Sequence, residues 1–307
     1  MTYILGIDTS AYTTSIALID EKTGKILADE RKVLEVKEGQ KGLRQQEAVF
    51  QHLKNLPELY SSIKEDLSKI HVVSVSSRPR NVEGSYMPVF MTGRNFGRVI
   101  SHTLKSEFIE YSHQENHIGA SLIDNYKNID EFLAVHISGG TTEFISARKI
   151  FRGFETKIVG GTKDITFGQL IDRLGTKMGF PFPCGKHMEE YIRDKKVQKL
   201  STPRPGKGPC INLSGMENYF VNLLEKHEKD EIITSMFEYI GECIVNILHS
   251  LSGLGFKTVI ISGGVASNSY IRNYILNCLK GYETIFPSPK NSSDNALEWV
   301  YYVDLFT

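Results

Sequence analysis

Short β-type runs separated by polar breaks open the chain. Tyr3 to Asp8 reads as a strand, Thr9-Ser10-Ala11-Tyr12 as a turn-like break and Ser15 to Asp20 as a second strand. The plan returns downstream: Phe132 to Ile137 is a strand, Ser138-Gly139-Gly140-Thr141-Thr142 a turn and Glu143 to Ala147 a strand. A second correspondence follows each hairpin. Val72 to Ser76 runs into a Pro/Gly-bearing loop ending at Gly84-Ser85, then a helix from Val89 to Leu104. Thr258 to Ser262 runs into Gly263-Gly264-Val265-Ala266-Ser267-Asn268, then a helix from Tyr270 to Leu279. A hairpin followed by strand–loop–helix, present twice, predicts a duplicated α/β domain.

Helical periodicity fills the intervals. Glu47 to Leu67 is amphipathic and interrupted at Pro57, where a helix loses a backbone donor. Asp164 to Met178 puts Ile165, Leu170, Ile171 and Leu174 roughly on one face, and Ile232 to Leu254 is long and apolar-periodic. Lys195 to Cys210, with Pro203, Pro205, Gly206, Gly208 and Pro209, reads as an exposed loop.

The 307 residues are long for one core and predict two domains. We draw them as an N-terminal lobe, 1–108, completed by a C-terminal helix, 296–307, and a C-terminal lobe, 109–295, which includes His113, His117 and both Ser-Gly-Gly turns. Hydrophobic residues at 40% and charged residues at 23% are a globular composition. Net charge is zero, so no field over the whole protein recruits nucleic acid; RNA binding would need a local basic patch or a partner. Cys184, Cys210, Cys243 and Cys278 are scattered, which fits reduced thiols of a cytoplasmic protein. The opening residues read as an immediate strand rather than a signal peptide, and no apolar run approaches transmembrane length, so no membrane is expected.

The densest chemistry is Ser112-His113-Gln114-Glu115-Asn116-His117. Residues i and i+4 lie about 40° apart around a helix, so both imidazoles can reach one ion. Ser112 with Glu115 reads as a capping box that starts the helix at His113. The partial positive charge of a helix N-terminus disfavours imidazolium, and neutral imidazole is the ligating form. An anionic ligand from elsewhere should offset the repulsion between that end and a cation. A zinc peptidase of the His-Glu-x-x-His type is disfavoured, because Gln114 occupies the place of the general base.

Ser138-Gly139-Gly140 and Ser262-Gly263-Gly264 each follow a buried-type strand. Paired glycines let a backbone approach a ligand, and exposed N–H groups in such turns bind anions. One such turn commonly means only a tight turn; two in corresponding places predict a nucleotide site, with Thr141 beside the first. Neither fits the Rossmann fingerprint or the P-loop. Asp172, on the helix after the second hairpin, could accept from ribose hydroxyls. Pro181 to Gly185 makes a rigid loop that could approach a base, and Asp294 is a good N-cap for the last helix.

These segments, in this order, resemble the TsaD family, also known as O-sialoglycoprotein endopeptidase-like, which installs the threonylcarbamoyl group of N6-threonylcarbamoyladenosine in tRNA. The resemblance rests on Gly6 to Ser10, His113 and His117, Ser138-Gly139-Gly140 with Thr142, and Gly168 to Asp172. It continues through Ser214-Gly215, Gly263 to Ala266 with Asn268, and Asp294-Asn295. It implies an α/β actin/sugar kinase/Hsp70-like fold (ASKHA), with two RNase H-like lobes and an interlobe nucleotide cleft. By position, His113, His117 and Asp294 would be the metal ligands. Ser138, Gly139, Gly140, Thr141, Asp172, Gly185, Gly263, Gly264 and Asn268 would line the nucleotide or adenylate site, and Asp8, Thr9 and Ser10 are candidate first-loop substrate contacts.

The chain departs from that family around the acceptor. The usual opening Glu-Thr-Ser-Cys-Asp-Glu-Thr is Asp8-Thr9-Ser10-Ala11-Tyr12-Thr13-Thr14, without the second and third acids. The loop Gly-Pro-Gly-x-x-Gly-Ser is Arg78-Pro79-Arg80-Asn81-Val82-Glu83-Gly84-Ser85; Thr141 stands for a histidine, and Asp164-Ile165 for a pair of acids. This reads as a divergent paralogue. The expectation is a transferase using one divalent metal (zinc or iron, with magnesium a further option) and ATP or another adenylate, with a carbamoyl-adenylate-type donor. No Ser–His or Cys–His nucleophile constellation is visible, so direct attack by the acceptor is simplest. The alternative is a non-catalytic nucleotide-binding regulator that pairs with a relative. A sugar-kinase role leaves the histidine pair without a purpose. The expected partners are a second copy or a relative, through the N-terminal lobe, and a weakly held tRNA.

Overall fold

A computed structural model describes residues 1–10, 12–36, 43–122, 129–150, 153–287 and 296. The chain divides into two compact units, Met1–Ile129 with Lys149–Glu155 and Lys290–Thr307, and Asp130–Arg148 with Thr156–Pro289.

The first unit opens on β1 (Tyr3–Thr9), β2 (Thr13–Asp20) and β3 (Ile26–Val33), followed by α1 (Gln45–Ser62), β4 (Ile70–Arg78), α2 (Pro88–Leu104), β5 (Glu107–Ser112) and α3 (His113–Leu122). Its five-stranded sheet runs β3-β2-β1-β4-β5. β1 pairs antiparallel with β2 and parallel with β4, and β4 pairs parallel with β5. Every residue of β1 is buried, as expected of a strand covered on both faces. Leu5, Ile7, Ile16 and Leu18 meet Leu56 of α1 and Val73 and Val75 of β4 in one core.

Two local features differ from the sequence expectation. α1 runs unbroken through Pro57 and stops at Ser62. Pro57 and Leu53 are both exposed, so the carbonyl that loses its donor faces solvent and water can satisfy it. The second concerns the lobe boundary drawn at residue 108. β5 is an edge strand of the first sheet and leads directly into α3, so the histidine pair belongs to the first unit. Ala296 also packs there, among Ile4, Ala17, Ile19 and Val72, and its N–H donates to Ser15 Oγ at 3.0 Å. The remainder of the expected helix 296–307 lies outside the described residues.

The second unit repeats the plan. β6 (Glu131–Ile137) and β7 (Thr142–Ile150) form the antiparallel hairpin, joined by β8 (Gly153–Thr162). Then come α4 (Phe167–Lys177), α5 (Cys184–Ile192), β9 (Cys210–Ile211), α6 (Ser214–Leu223), α7 (Lys229–Ser250), β10 (Thr258–Ser262), α8 (Ser269–Cys278) and β11 (Glu283–Ile285). The sheet order is β11-β10-β6-β7-β8-β9, with β10 parallel to both β6 and β11. Read from β8, the run β8-β7-β6-β10-β11 reproduces β3-β2-β1-β4-β5, and β9 is an addition at the edge. The core gathers Phe144, Phe167, Leu174, Phe220, Phe237 and Ile244, all fully buried. Lys195 to Cys210 is a loop up to β9, as the Pro/Gly content predicts. No helix among the described residues is long and apolar enough to cross a membrane.

Candidate functional site

The first loop is anchored from inside. Thr9 Oγ1 donates to Val89 O at 2.9 Å and accepts from Gly93 N at 3.1 Å, which fixes β1 against the first turns of α2. His52 Nε2 bonds the Ser10 carbonyl at 2.9 Å, and its Nδ1 bonds Thr14 Oγ1 at 2.8 Å. A carbonyl only accepts, so Nε2 carries the proton and Nδ1 accepts from the hydroxyl. His52 is thus a neutral clamp on the loop. Burial pushes its pKa down, against the Ser10 carbonyl bond and the Asp8 charge. Sequence reasoning passed it over, although Ala48, His52, Asn55, Leu56 and Leu59 share the buried face of α1 at helical spacing.

α3 begins at His113, as the capping box predicts. Glu115 N donates to Ser112 Oγ at 3.1 Å, and Ser112 N donates to Glu115 Oε2 at 2.9 Å. The box aligns the two imidazoles: His113 Nε2 and His117 Nε2 are 3.0 Å apart, with ring centroids at 4.4 Å. Two nitrogens each about 2.0–2.1 Å from one ion lie roughly 3.3–3.4 Å apart at the tetrahedral angle and about 3.0 Å apart when the angle closes to roughly 95°, so the pair can share one cation at a narrow bite. Among the described residues no three His, Cys, Asp or Glu groups converge on one point, and Asp294 lies outside them. On the other side of His113, Nδ1 is 3.4 Å from Asp8 Oδ1. Asp8, Thr9 and Ser10 are all buried.

In the second unit the two glycine turns meet each other and α4. Val265 N donates to Ile137 O at 3.1 Å, joining the turn after β10 to the end of β6. Ser138 N donates to Thr141 O at 2.8 Å and Thr141 N to Ser138 Oγ at 3.2 Å, closing the first turn. Thr166, the N-cap of α4 in a capping box with Gln169, donates from Oγ1 to Gly139 O at 2.8 Å. Gly139, Gly140 and Gly264 are exposed, and a Cβ on any of them would meet nothing within 4 Å. Asn268 caps α8 by accepting from Ile271 N at 3.1 Å. Its buried Nδ2 has no hydrogen-bond partner among the described residues. The structure therefore brings Ser138, Gly139, Gly140, Thr141, Gly263, Gly264 and Asn268 to linked turns.

Asp172 lies on α4, on the helix after the second hairpin, and reaches the start of α5. The rigid loop ends at Pro183, and Cys184 and Gly185 form the first turn of α5. Asp172 Oδ1 accepts from Cys184 N at 2.8 Å, so one carboxylate oxygen is committed to that helix start. Burial raises the Asp172 pKa, with the Cys184 N–H acting against it.

Asp164, singled out only as a departure, has a structural task. It accepts from Ile165 N and Leu213 N at 2.8 Å and Ser214 N at 2.9 Å, tying the loop before α4 to the start of α6. Burial pushes its carboxyl up, but the Ser214 hydroxyl and the three N–H groups outweigh it and hold the pKa at about 2. A depressed carboxyl stabilises the fold above the ordinary carboxylate range and loses that contribution as pH falls toward about 2. Asp164→Asn should lower the thermal midpoint by a few degrees at neutral pH and flatten the acid limb of stability. Melting curves from neutral to acid pH decide it; parallel profiles for variant and parent would remove this role.

Comparison with known proteins identifies a family. The family model for TsaD, tRNA N6-adenosine threonylcarbamoyltransferase, matches residues 25–301. The tRNA N6-adenosine threonylcarbamoyltransferase of Thermotoga neapolitana is 29% identical over 304 residues, covering 96% of this chain and 91% of that protein. That of Buchnera aphidicola is 27% identical, covering 98% and 91%. Among solved structures, HypF of T. kodakarensis superposes with a TM-score of 0.62 at 12% identity, over 99% of this chain and 48% of that one. Component A of the Acidaminococcus fermentans (R)-2-hydroxyglutaryl-CoA dehydratase gives 0.57 at 18% identity, over 99% and 98%. Such identities show the fold alone, which is the actin/sugar kinase/Hsp70-like one. With the family model spanning most of its length, the chain belongs to the TsaD family of tRNA N6-adenosine threonylcarbamoyltransferases.

Proposed function

We propose that this chain is a metal- and nucleotide-binding transferase acting on a carbamoyl-adenylate-type donor, of the kind that carries a threonylcarbamoyl group to tRNA. The observation that carries this reading is the pair of Nε2 atoms 3.0 Å apart at the start of α3. His113, His117 and Asp294 would hold one divalent ion, and mixed imidazole and carboxylate ligands favour zinc or iron over magnesium. When bound, the ion supplies Lewis acidity and a template for the carboxyl and phosphate oxygens of the donor. The adenylate is assigned to the second unit, where exposed backbone at Gly139, Gly140 and Gly264 and the spare Asn268 amide offer donors.

The acceptor side supports weak action on tRNA. Arg78, in the loop that lacks the family glycines, donates to Asn81 Oδ1 at 2.9 Å and lies 3.8 Å from Glu115 Oε2. A guanidinium engaged in this way has less to offer a phosphate, and two arginines supply only about two phosphate contacts. A regulatory reading, in which the chain pairs with a family relative through its first unit, is favoured by one observation. The α1–α2 face lines an apolar groove with Val49, Leu53, Met91, Phe96 and Val99, and Phe50, Leu53 and Val99 are exposed.

The test supplies metal-loaded chain with threonylcarbamoyl-adenylate, with and without unmodified tRNA, alone and with a family relative. We expect adenylate to be bound and slowly lost to water, which takes the carbamoyl group as AMP leaves, with little modified tRNA. Robust tRNA modification by the chain alone would overturn the weak-acceptor expectation, and failure to bind adenylate would overturn the transferase. Pairing is read in the same samples from the mass in solution. It should be lost in Leu53→Asp, and a parent that stays monomeric with the relative present removes the pairing.

A further inference from the structure

Asp8 is fully buried, and neither carboxylate oxygen has a hydrogen-bond partner among the described residues. A buried carboxylate without donors is costly, so a native structure that keeps one has a use for it. The neighbouring loop residues are already engaged: Thr9 with α2 and the Ser10 carbonyl with His52. Two imidazoles feel Asp8: His52, whose ring is already committed to the Ser10 carbonyl and Thr14, and His113, whose Nδ1 stands 3.4 Å from Oδ1 in a charge contact rather than a completed hydrogen bond. The opposite nitrogen of the same ring, Nε2, is the one 3.0 Å from His117 Nε2. Asp8 and His117 thus approach the two different ring nitrogens of His113.

We infer that Asp8 is the positioning residue of the metal site: it holds the His113 proton on Nδ1 and so leaves the Nε2 lone pair free for the ion. The inference rests on the histidine pair being a metal site, as proposed above. A carboxylate behind a ligating imidazole fixes its tautomer and ring orientation and raises its basicity. Without it, the two rings can satisfy each other through either Nε2–H, and His113 in that tautomer presents a proton where the ion must sit. Asp8 is fully buried, and its Oδ1 approaches Nδ1 rather than the Nε2 that neighbours His117. Asp8 therefore acts through His113 and does not itself touch the donor.

The experiment uses the full chain and two readouts. In the metal-free protein, nitrogen NMR of labelled histidine should show His113 protonated at Nδ1, and that signature should be lost in Asp8→Asn. Zinc alone, titrated against a competing chelator, should bind Asp8→Asn about 10- to 100-fold more weakly than the parent. Asp8→Glu should recover part of the loss, which a merely space-filling role would not do. A parent His113 protonated at Nε2, or an Asp8→Asn chain that is folded and binds zinc as tightly as the parent, overturns the inference. If Asp8→Asn fails to fold, the tautomer in the unsubstituted chain still decides. A parent that binds no zinc defeats the metal reading instead, and the metal-free NMR signature separates the two failures.

Discussion

If the chain holds the proposed divalent ion, replacing both His113 and His117 by alanine is expected to lower metal content from about one ion per chain to background. The argument starts at Ser112 and Glu115, whose reciprocal hydrogen bonds of 3.1 and 2.9 Å fix the first turn of α3. That turn holds the two Nε2 atoms at a separation one small cation can bridge. Removing both deletes two of the three proposed ligands and leaves a lone carboxylate, which has little hold on zinc or iron. A ligand that binds only the folded state adds stability by mass action, about 2.7 kcal/mol when held at 100 times its Kd. For a protein of this size that is roughly 4 °C in thermal midpoint. The parent should show that gain on adding zinc and lose it to a chelator, whereas the double variant should respond to neither. Elemental analysis with paired melting curves measures both. Equal metal content in parent and variant, with the same zinc response, would place the ion elsewhere.

The sequence made the duplicated plan legible because each hairpin and each strand–loop–helix is written in local pattern: β-branched runs, then glycine or polar breaks, then helical spacing. β1, β2, β6, β7 and β10 fall where those runs predict, and α3 starts at the residue its capping box names. Non-local features were harder to read. β3 carries no buried residue and shows only intermediate or exposed positions, so its apolar signal is faint. β9 is two residues long and owes its existence to parallel pairing with Gly161 and Thr162. Pro57 looked like a helix break because the rule is local, whereas the exposure that makes it tolerable is tertiary. The same division runs through the candidate site. The i,i+4 spacing revealed the histidine pair, but nothing in it showed that Asp8, 105 positions earlier in the chain (113 minus 8), stands behind His113. Asp172 invited a ribose role on position alone, and its bond to Cys184 N became visible only once α5 was placed.

The two glycines after β10 should separate a fold effect from a binding effect. Gly263 has φ +101°, and a Cβ there would lie 2.2 Å from Ile137 O. No side-chain movement relieves a clash with backbone, and that φ is itself strained for any residue with a Cβ. Gly263→Val should therefore cost roughly 2–5 kcal/mol, combining strain and overpacking where β10 meets β6. Gly264 is the reverse case: it is exposed, and a Cβ would meet nothing of the protein within 4 Å. Gly264→Val should leave stability within about 0.5 kcal/mol of the parent. If this turn offers its backbone to an adenylate, the valine occupies the space the ligand needs and affinity should fall by about tenfold or more. Calorimetric titration with ATP and metal, beside denaturant unfolding, reads both quantities on the same samples. A stable Gly264→Val chain that binds ATP as well as the parent would mean that the turn serves only to join β10 to α8. A parent that binds no ATP at millimolar concentration would remove the nucleotide from both turns. The informative result is a stable chain with lost binding at Gly264 beside an unstable one at Gly263, because neither a general folding defect nor an unused surface loop produces that pair.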